Sequence, residues 1–413
     1  MDMVKSIPPA VEISATIARS TPAPALVRSA MGGFFLLGCL MALLGALLPV
    51  WAYYVPFDLQ TAGVYFLSAN FGALAAIASR RILNRMSLRL LLATACFLAA
   101  GMLLVSAAIL TPALLVLPLL ALGFAAGMLI AGLSSMTFEA VTAPMSGVLL
   151  SLARVFIGAG AVCFTLLVWT TVHVLTLPGI LMVSSLLPLA LGGVYLRQKA
   201  MGPMAPASGA APPRLSVYRK ASPLAVMLSV ALLVQHGNEW AVSGWLAMYL
   251  VRRLGVTSET ALLALALFWA ILAGGKVLLP RMPWMSHRFR MISASTAACL
   301  FGCLLLLSTA GAGGAIAGVL CLSAGMSVAY SLIAGMLAEH FPGDRGSFFS
   351  SLFSISLIGG MLEPWLVGQM AGAWVIGWAI RVPAAGVLVV YLLVSALLLE
   401  MRVAKVSKTA SSS

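Results

Sequence analysis

The sequence predicts an all-α membrane protein: twelve transmembrane helices in two pseudo-symmetric six-helix bundles. Three observations predict it. Of 413 residues, 62% are hydrophobic and only 8% charged, whereas a soluble chain carries about a quarter charged residues. Twelve apolar runs are each long enough to cross a hydrocarbon core of about 30 Å as a helix of roughly 20 residues. The basic residues gather in alternate connections between those runs.

The runs span 31–54, 62–79, 90–110, 113–138, 146–171, 175–196, 224–250, 260–280, 289–309, 312–338, 347–370 and 375–399. The first closes on Trp51, Tyr53 and Tyr54, an aromatic belt at one membrane face. The fourth carries Gly123, Gly127 and Gly132, positions suited to close helix packing. Between the sixth and seventh lies the longest interior polar stretch, Arg197 to Ser222, with Pro203, Pro206, Pro212 and Pro213, which reads as a flexible linker. The expected organisation is a tail (1–30), a first bundle (31–196), the linker (197–222), a second bundle (223–400) and a second tail (401–413).

The net charge of +14 could point to nucleic acid, but its placement excludes that. With both termini cytoplasmic, the inside segments hold Lys5, Arg19 and Arg28; Arg80, Arg81, Arg85 and Arg89; Arg197, Lys199, Arg214, Arg219 and Lys220; Arg281, Arg288 and Arg290; Arg345; and Arg402, Lys405 and Lys408. Arg154 and Lys276 lie in helix ends on the same side, leaving only Arg252, Arg253 and Arg381 outside. Basic residues that collect on one face over six segments follow the positive-inside rule and demand an even number of spans. The expected location is a bacterial inner membrane. The six cysteines all fall within apolar runs, without metal-site spacing or a disulfide framework, and read as small buried hydrophobes.

The two halves echo each other. The fourth run ends in Glu139, Pro144 and Gly147, followed by a helix with Gly158 and Gly160; the tenth ends in Glu339, Pro342 and Gly346, followed by a helix with Gly359 and Gly360. Two parallel six-helix repeats are the plan of many secondary transporters.

On these residues the chain resembles the major facilitator superfamily over essentially its whole length. Arg80-Arg81-Ile82-Leu83-Asn84-Arg85-Met86-Ser87-Leu88-Arg89 is similar to that superfamily's signature loop, with Asn84 where an Asp is usual and Ser87 where a turn glycine is usual. Within it, the fucose-permease and sugar–cation symporter branch is the nearest in look, on Gly45-Ala46-Leu47-Leu48-Pro49, Gln60-Thr61-Ala62-Gly63 and Glu239 to Tyr249 with Gly244-Trp245. The antiporter glycine-proline motif is missing from the fifth run, since Gly158-Ala159-Gly160 has no proline. The resemblance implies a cytoplasmic latch made by Glu139 with Arg85, Arg89 and Arg154, and by Glu339 with Arg288, Arg290 and Arg345; the alternative is simple interface anchoring. Asn84 weakens the latch, because a neutral amide cannot pair with Arg345.

The candidate site is Val234-Gln235-His236-Gly237-Asn238-Glu239-Trp240 in the seventh run. Polar and ionisable groups at mid-membrane depth are expensive and face a cavity, a partner or a ligand. Glu239 suits a proton-coupling carboxylate or an acceptor for substrate hydroxyls. Gln235 and His236 share its helix face; Asn238 adds an amide; Trp240 and Trp245 offer rings for stacking. The alternative for all of them is a hydrogen-bonded cluster that only fixes helix packing. Glu363, beside Gly359, Gly360 and Pro364, either lines the cavity or pairs with an amide or Arg381. The first half is poorer: its first run has no ionisable group, and Asn70 is the best polar candidate. Tyr330, with Ser327 and Ser331, sits at ligand depth in the tenth run.

Gly274-Gly275-Lys276-Val277 fails the phosphate-loop pattern, and no metal cluster or nucleophile triad is legible, so no cofactor, metal or enzymatic chemistry is expected. The expected partners are a small-molecule substrate, a proton or Na⁺ as coupling ion, and the bilayer, with a monomer as the acting unit. The expected function is secondary active, proton-coupled uptake of a small polar solute by alternating access, sugar-like by resemblance only. The alternatives are efflux of a drug-like or amphipathic metabolite and, third, a non-transporting sensor or scaffold.

Overall fold

The structure is a computed structural model describing residues 24–54, 57–109, 111–136, 143–198, 223–278, 287–339 and 345–410, with side chains near several segment ends left out. The expected linker lies almost wholly outside these residues.

Among the described residues twelve long helices form: α1 Pro24–Tyr54, α2 Leu59–Ala78, α3 Leu88–Ala108, α4 Pro112–Ser134, α5 Ala143–Thr171, α6 Leu177–Arg197, α7 Pro223–Leu254, α8 Ser258–Leu278, α9 Arg288–Ser308, α10 Ala312–Glu339, α11 Arg345–Ala373 and α12 Trp378–Ala410. A four-residue helical turn, Arg80–Leu83, follows α2. Ten of the twelve are apolar and long enough to cross a membrane over their described residues. The other two are α7 and α11, of 32 and 29 residues. In α7 the polar run Gln235–Glu239 dilutes the hydropathy.

Helix starts follow from local chemistry. Asp58 caps α2 by accepting a hydrogen bond from the Thr61 N–H at 2.7 Å, and Ser87 caps α3 by accepting from Leu90 N–H at 3.3 Å. Pro112 opens α4 in its first turn, where a missing N–H costs nothing.

The packing repeats with an offset of six helices. In the first half α1 packs on α5, α2 on α4, α3 on α6; in the second α7 packs on α11, α8 on α10, α9 on α12. The contacts between the halves obey the same symmetry, α2 against α11 and α5 against α8, with α1 and α7 meeting at the centre.

The two ends of the bundle differ. At one, every connection within the halves is short, for instance 255–257 between α7 and α8 and 309–311 between α9 and α10. At the other lie the basic segments. The halves are closed against each other at the short-loop end. His173, just after α5, pairs with Glu259 of α8 at 2.7 Å. Glycines let backbones touch: a β-carbon on Gly63 of α2 would stand 3.0 Å from the Trp365 carbonyl oxygen of α11, and one on Gly45 of α1 would overlap the Ser243 carbonyl of α7.

Candidate functional site

Midway along α7, Glu239 is nearly fully buried, with 4% of its side chain exposed. It accepts a hydrogen bond from Lys276 Nζ of α8 and a longer one, 3.4 Å, from Gln235 Nε2 one turn earlier. Gln235 Nε2 also donates to the Met326 carbonyl of α10 at 3.1 Å, which fixes the amide. The Lys276 ammonium stands 4.0 Å from the ring centroid of Tyr330 on α10, a cation–π contact. His236 Nδ1 lies 3.7 Å from Glu239 Oε2, and the imidazole sits between Trp240 and Tyr330, 6.4 and 5.9 Å centroid to centroid. Three helices of the second half thus converge on one carboxylate–ammonium pair.

Helix direction brings the pair together. Every Cα–Cβ bond leans toward its helix N-terminus. Helices α7 and α8 run antiparallel, so Glu239 leans toward the basic end and Lys276 toward the short-loop end. Counted from the α7–α8 turn at about 1.5 Å per residue, their Cα atoms differ in height by only a few ångströms, a gap the long lysine spans. Lys276 stands in the last turn of α8, the helix end expected from the sequence, and its ammonium is turned inward, 17% exposed, onto Glu239. The signal available in the sequence was a lysine near the end of a helix whose side chains lean back into the membrane.

A narrow cleft of about 60 Å³ opens between the halves, and Trp240, next to Glu239 in the chain, is on its wall. Leu37, Leu40 and Leu44 of α1, Asn70 of α2 and Leu122 of α4 line one side, with Trp240 and Leu357 across from them. Its wall from the first half is apolar except for Asn70. That amide is already engaged, Nδ2 donating to Phe66 O at 3.0 Å and across the interface to Gly360 O of α11 at 3.2 Å.

The other candidates are dispersed. Trp245 is fully buried; its indole N–H donates to the Pro364 carbonyl at 3.0 Å and its ring centroid lies 5.7 Å from that of Phe66 across the interface between the halves. Asn238 faces α12, where its amide fills the space of a β-carbon on Gly386, and neither amide atom has a hydrogen-bond partner among the described residues. Glu363 lies against Gly237 of α7, its carboxylate occupying the space a β-carbon there would need; Oε1 is buried without a hydrogen-bond partner among the described residues. Arg381 stacks on Trp378 instead, 5.6 Å from its ring centroid. Of the latch residues, Glu139 lies outside the described residues, as do the side chains of Glu339 and Arg345; Arg85, Arg89 and Arg290 are exposed, Arg154 and Arg288 half-buried. Tyr53 and Tyr54 stack edge to face at the short-loop end, 5.1 Å apart and exposed, as a belt requires.

No family model matches the sequence, and no curated protein matches it. Solved structures do match its fold. The nucleoside transporter NupG superposes with a TM-score of 0.71 at 13% identity, covering 91% of this chain and 97% of that one. The human organic anion transporter MFSD10 gives 0.62 at 13% identity, covering 90% and 100%. The E. coli fucose:proton symporter FucP gives 0.58 at 19% identity, covering 90% and 98%. With twelve long helices, pairing that repeats every six and these likenesses along nearly its full length, the chain has the major facilitator fold.

Proposed function

We propose that this chain is a proton-coupled secondary transporter of a small organic solute, working by rocking its two six-helix halves about the central cleft. The carrying observation is the Glu239–Lys276 pair: a titratable carboxylate matched to a single ammonium, at mid-height, beside a cleft between two halves sealed at one end. A pair used only for stability is a poor bargain in low dielectric, since an apolar pair of equal volume serves as well or better. Retained at such a position, it fits a group that must change charge during a cycle. The chain would lie in a bacterial inner membrane with its basic end, and both termini, cytoplasmic. The latch of Glu139 and Glu339 with their arginines would close that end in the opposite state.

The cleft supports an amphipathic solute over a sugar. A sugar needs hydrogen-bond partners around its whole rim, and the wall from the first half supplies one amide that is already engaged. Of the transporters that share the fold, one takes nucleosides, one fucose and one organic anions, so the fold leaves the solute open. The test is purified protein in vesicles with an entrapped pH indicator, challenged with panels of polar and amphipathic solutes under imposed pH and Na⁺ gradients. Solute-dependent proton movement absent from protein-free vesicles is expected. If no panel member moves protons or accumulates in vesicles holding monodisperse protein, the transporter reading fails.

A further inference from the structure

The Glu239–Lys276 pair carries no net charge, and Trp240, the next residue after Glu239, lines an apolar cleft. From this we infer that the solute is an amphipathic carboxylate, bound through its anionic head to Lys276 and carried together with one proton on Glu239. The inference rests on the transporter reading and adds the charge and chemistry of the cargo.

The argument is one of charge balance in low dielectric. In the structure the ammonium of Lys276 is compensated by Glu239 and steadied by the face of Tyr330. Adding a proton to the Glu239 carboxylate gives a neutral carboxyl group and leaves Lys276 as an uncompensated buried cation, which is costly. Adding an anion to the intact pair puts two negative charges on one ammonium, which is also costly. Adding both at once restores neutrality: the proton goes to a Glu239 oxygen, the Lys276–Glu239 ion pair breaks, and the solute carboxylate takes the ammonium. The site therefore favours both passengers or neither, and each loaded cycle moves no net charge. A cationic solute fits less well. It would take Glu239 and leave Lys276 without its countercharge beside the face of Tyr330.

The surroundings agree. Ionisable groups near Glu239 are Lys276 from α8, Tyr330 from α10, His236 on α7 itself and Cys299 from α9. Glu363 of α11 lies around the helix against Gly237, and no described side chain of α1 or α12 pairs with Glu239. Among the described residues around Glu239, Lys276 is thus the cation available to an anionic head. The leucine-rich wall beside Trp240 would receive the apolar body once the narrow cleft widens around it.

The experiment uses three probes with one apolar body: 2-naphthylacetate, 2-naphthylacetamide and 2-(2-naphthyl)ethylamine. Their binding to protein in nanodiscs is followed by calorimetry in buffers of differing ionisation enthalpy. The carboxylate is expected to bind at least tenfold more tightly than the amide or amine, with uptake of close to one proton, and more tightly as pH falls. Glu239→Gln should bind it without proton uptake and without pH dependence. The double variant Glu239→Gln/Lys276→Met, which keeps the site neutral and filled, should lose the preference for the anion. Preferred binding of the amine, carboxylate binding without proton uptake in the wild type, or no carboxylate binding at millimolar concentration overturns the inference. These are binding readouts. Proton-coupled flux of a neutral solute in vesicles would leave the transporter reading standing while this one falls.

Discussion

Lys276 and Glu239 reach each other from antiparallel helices, the lysine leaning away from the membrane face nearest to its backbone. The pair makes the two residues unequal under mutation. Glu239→Gln removes the countercharge of a buried ammonium, and a loss of about 3–5 kcal/mol is the expected scale for breaking such a pair. Lys276→Met should cost less, because the carboxylate left behind can neutralise itself by taking a proton. The double variant should lie within about 1–2 kcal/mol of wild type, since apolar replacement of a whole buried pair is often close to neutral. Thermal unfolding of the four proteins in one detergent measures the cycle; additive single effects would show that the two side chains do not interact.

The sequence made the fold legible because lipid imposes the pattern: apolar runs of spanning length and basic residues at one end leave little choice. Gln235–Glu239 was legible for the same reason, as a polar interruption in an apolar helix. The partner was not. Lys276 and Arg154 look alike in one dimension, each a basic residue near the basic end, and only helix direction and the packing of α8 beside α7 separate them. Trp245 and Asn238 show the converse. Their proximity to Glu239 in sequence suggested one site, but a helix turns about 100° per residue, so neighbours in the chain face α11, α12 and the cleft in turn.

At the mouth of α2, Asp58 provides a dependence on acid whose sign is fixed. Its carboxyl is held below the usual carboxylate range by the hydrogen bonds it accepts from Thr61. A group with a depressed folded value contributes stability that is present above its unfolded pKa and lost as pH falls through the folded one. Below about pH 4 the cap should weaken, and Asp58→Ala should remove this dependence while costing about 1 kcal/mol at neutral pH. Amide protection factors over 59–63, each taken relative to the intrinsic exchange rate at its pH, measure it: lower protection in acid than at neutral pH for the wild type, and low protection at both pH values for the variant.

Glu363 makes no ion pair among the described residues and packs its carboxylate against Gly237. The neutral isostere Glu363→Gln therefore breaks no charge pair, and its thermal midpoint should stay within a few degrees of wild type. Gly237→Ala is different. Its new methyl must displace the Glu363 side chain at the α7–α11 contact, so a loss of about 1–3 kcal/mol is expected, the usual cost of overpacking. Combined with Glu363→Ala, which vacates that space, part of the loss should return. A double variant no better than Gly237→Ala would mean that backbone contacts, with Gly359 in particular, carry the strain.

Closure at the short-loop end rests on contacts that can be weakened one at a time. Asn70 contributes a hydrogen bond across the halves to Gly360, His173 an exposed pair to Glu259, and Gly45 a backbone approach to Ser243. The three should rank by burial. His173→Ala removes a rim pair worth about 0–1 kcal/mol and should barely shift the closed population. Asn70→Ala removes a buried bond worth about 1 kcal/mol, a several-fold shift toward opening. Gly45→Leu places a side chain where the Ser243 carbonyl stands, so the closed state as described cannot form around it. Spin labels at the exposed Tyr53 of α1 and Arg253 of α7 report the separation of the halves. The long-distance fraction should rise in the order wild type, His173→Ala, Asn70→Ala, Gly45→Leu. A Gly45→Leu variant that keeps the wild-type distance distribution would mean that the contact between α1 and α7 is not part of the closure.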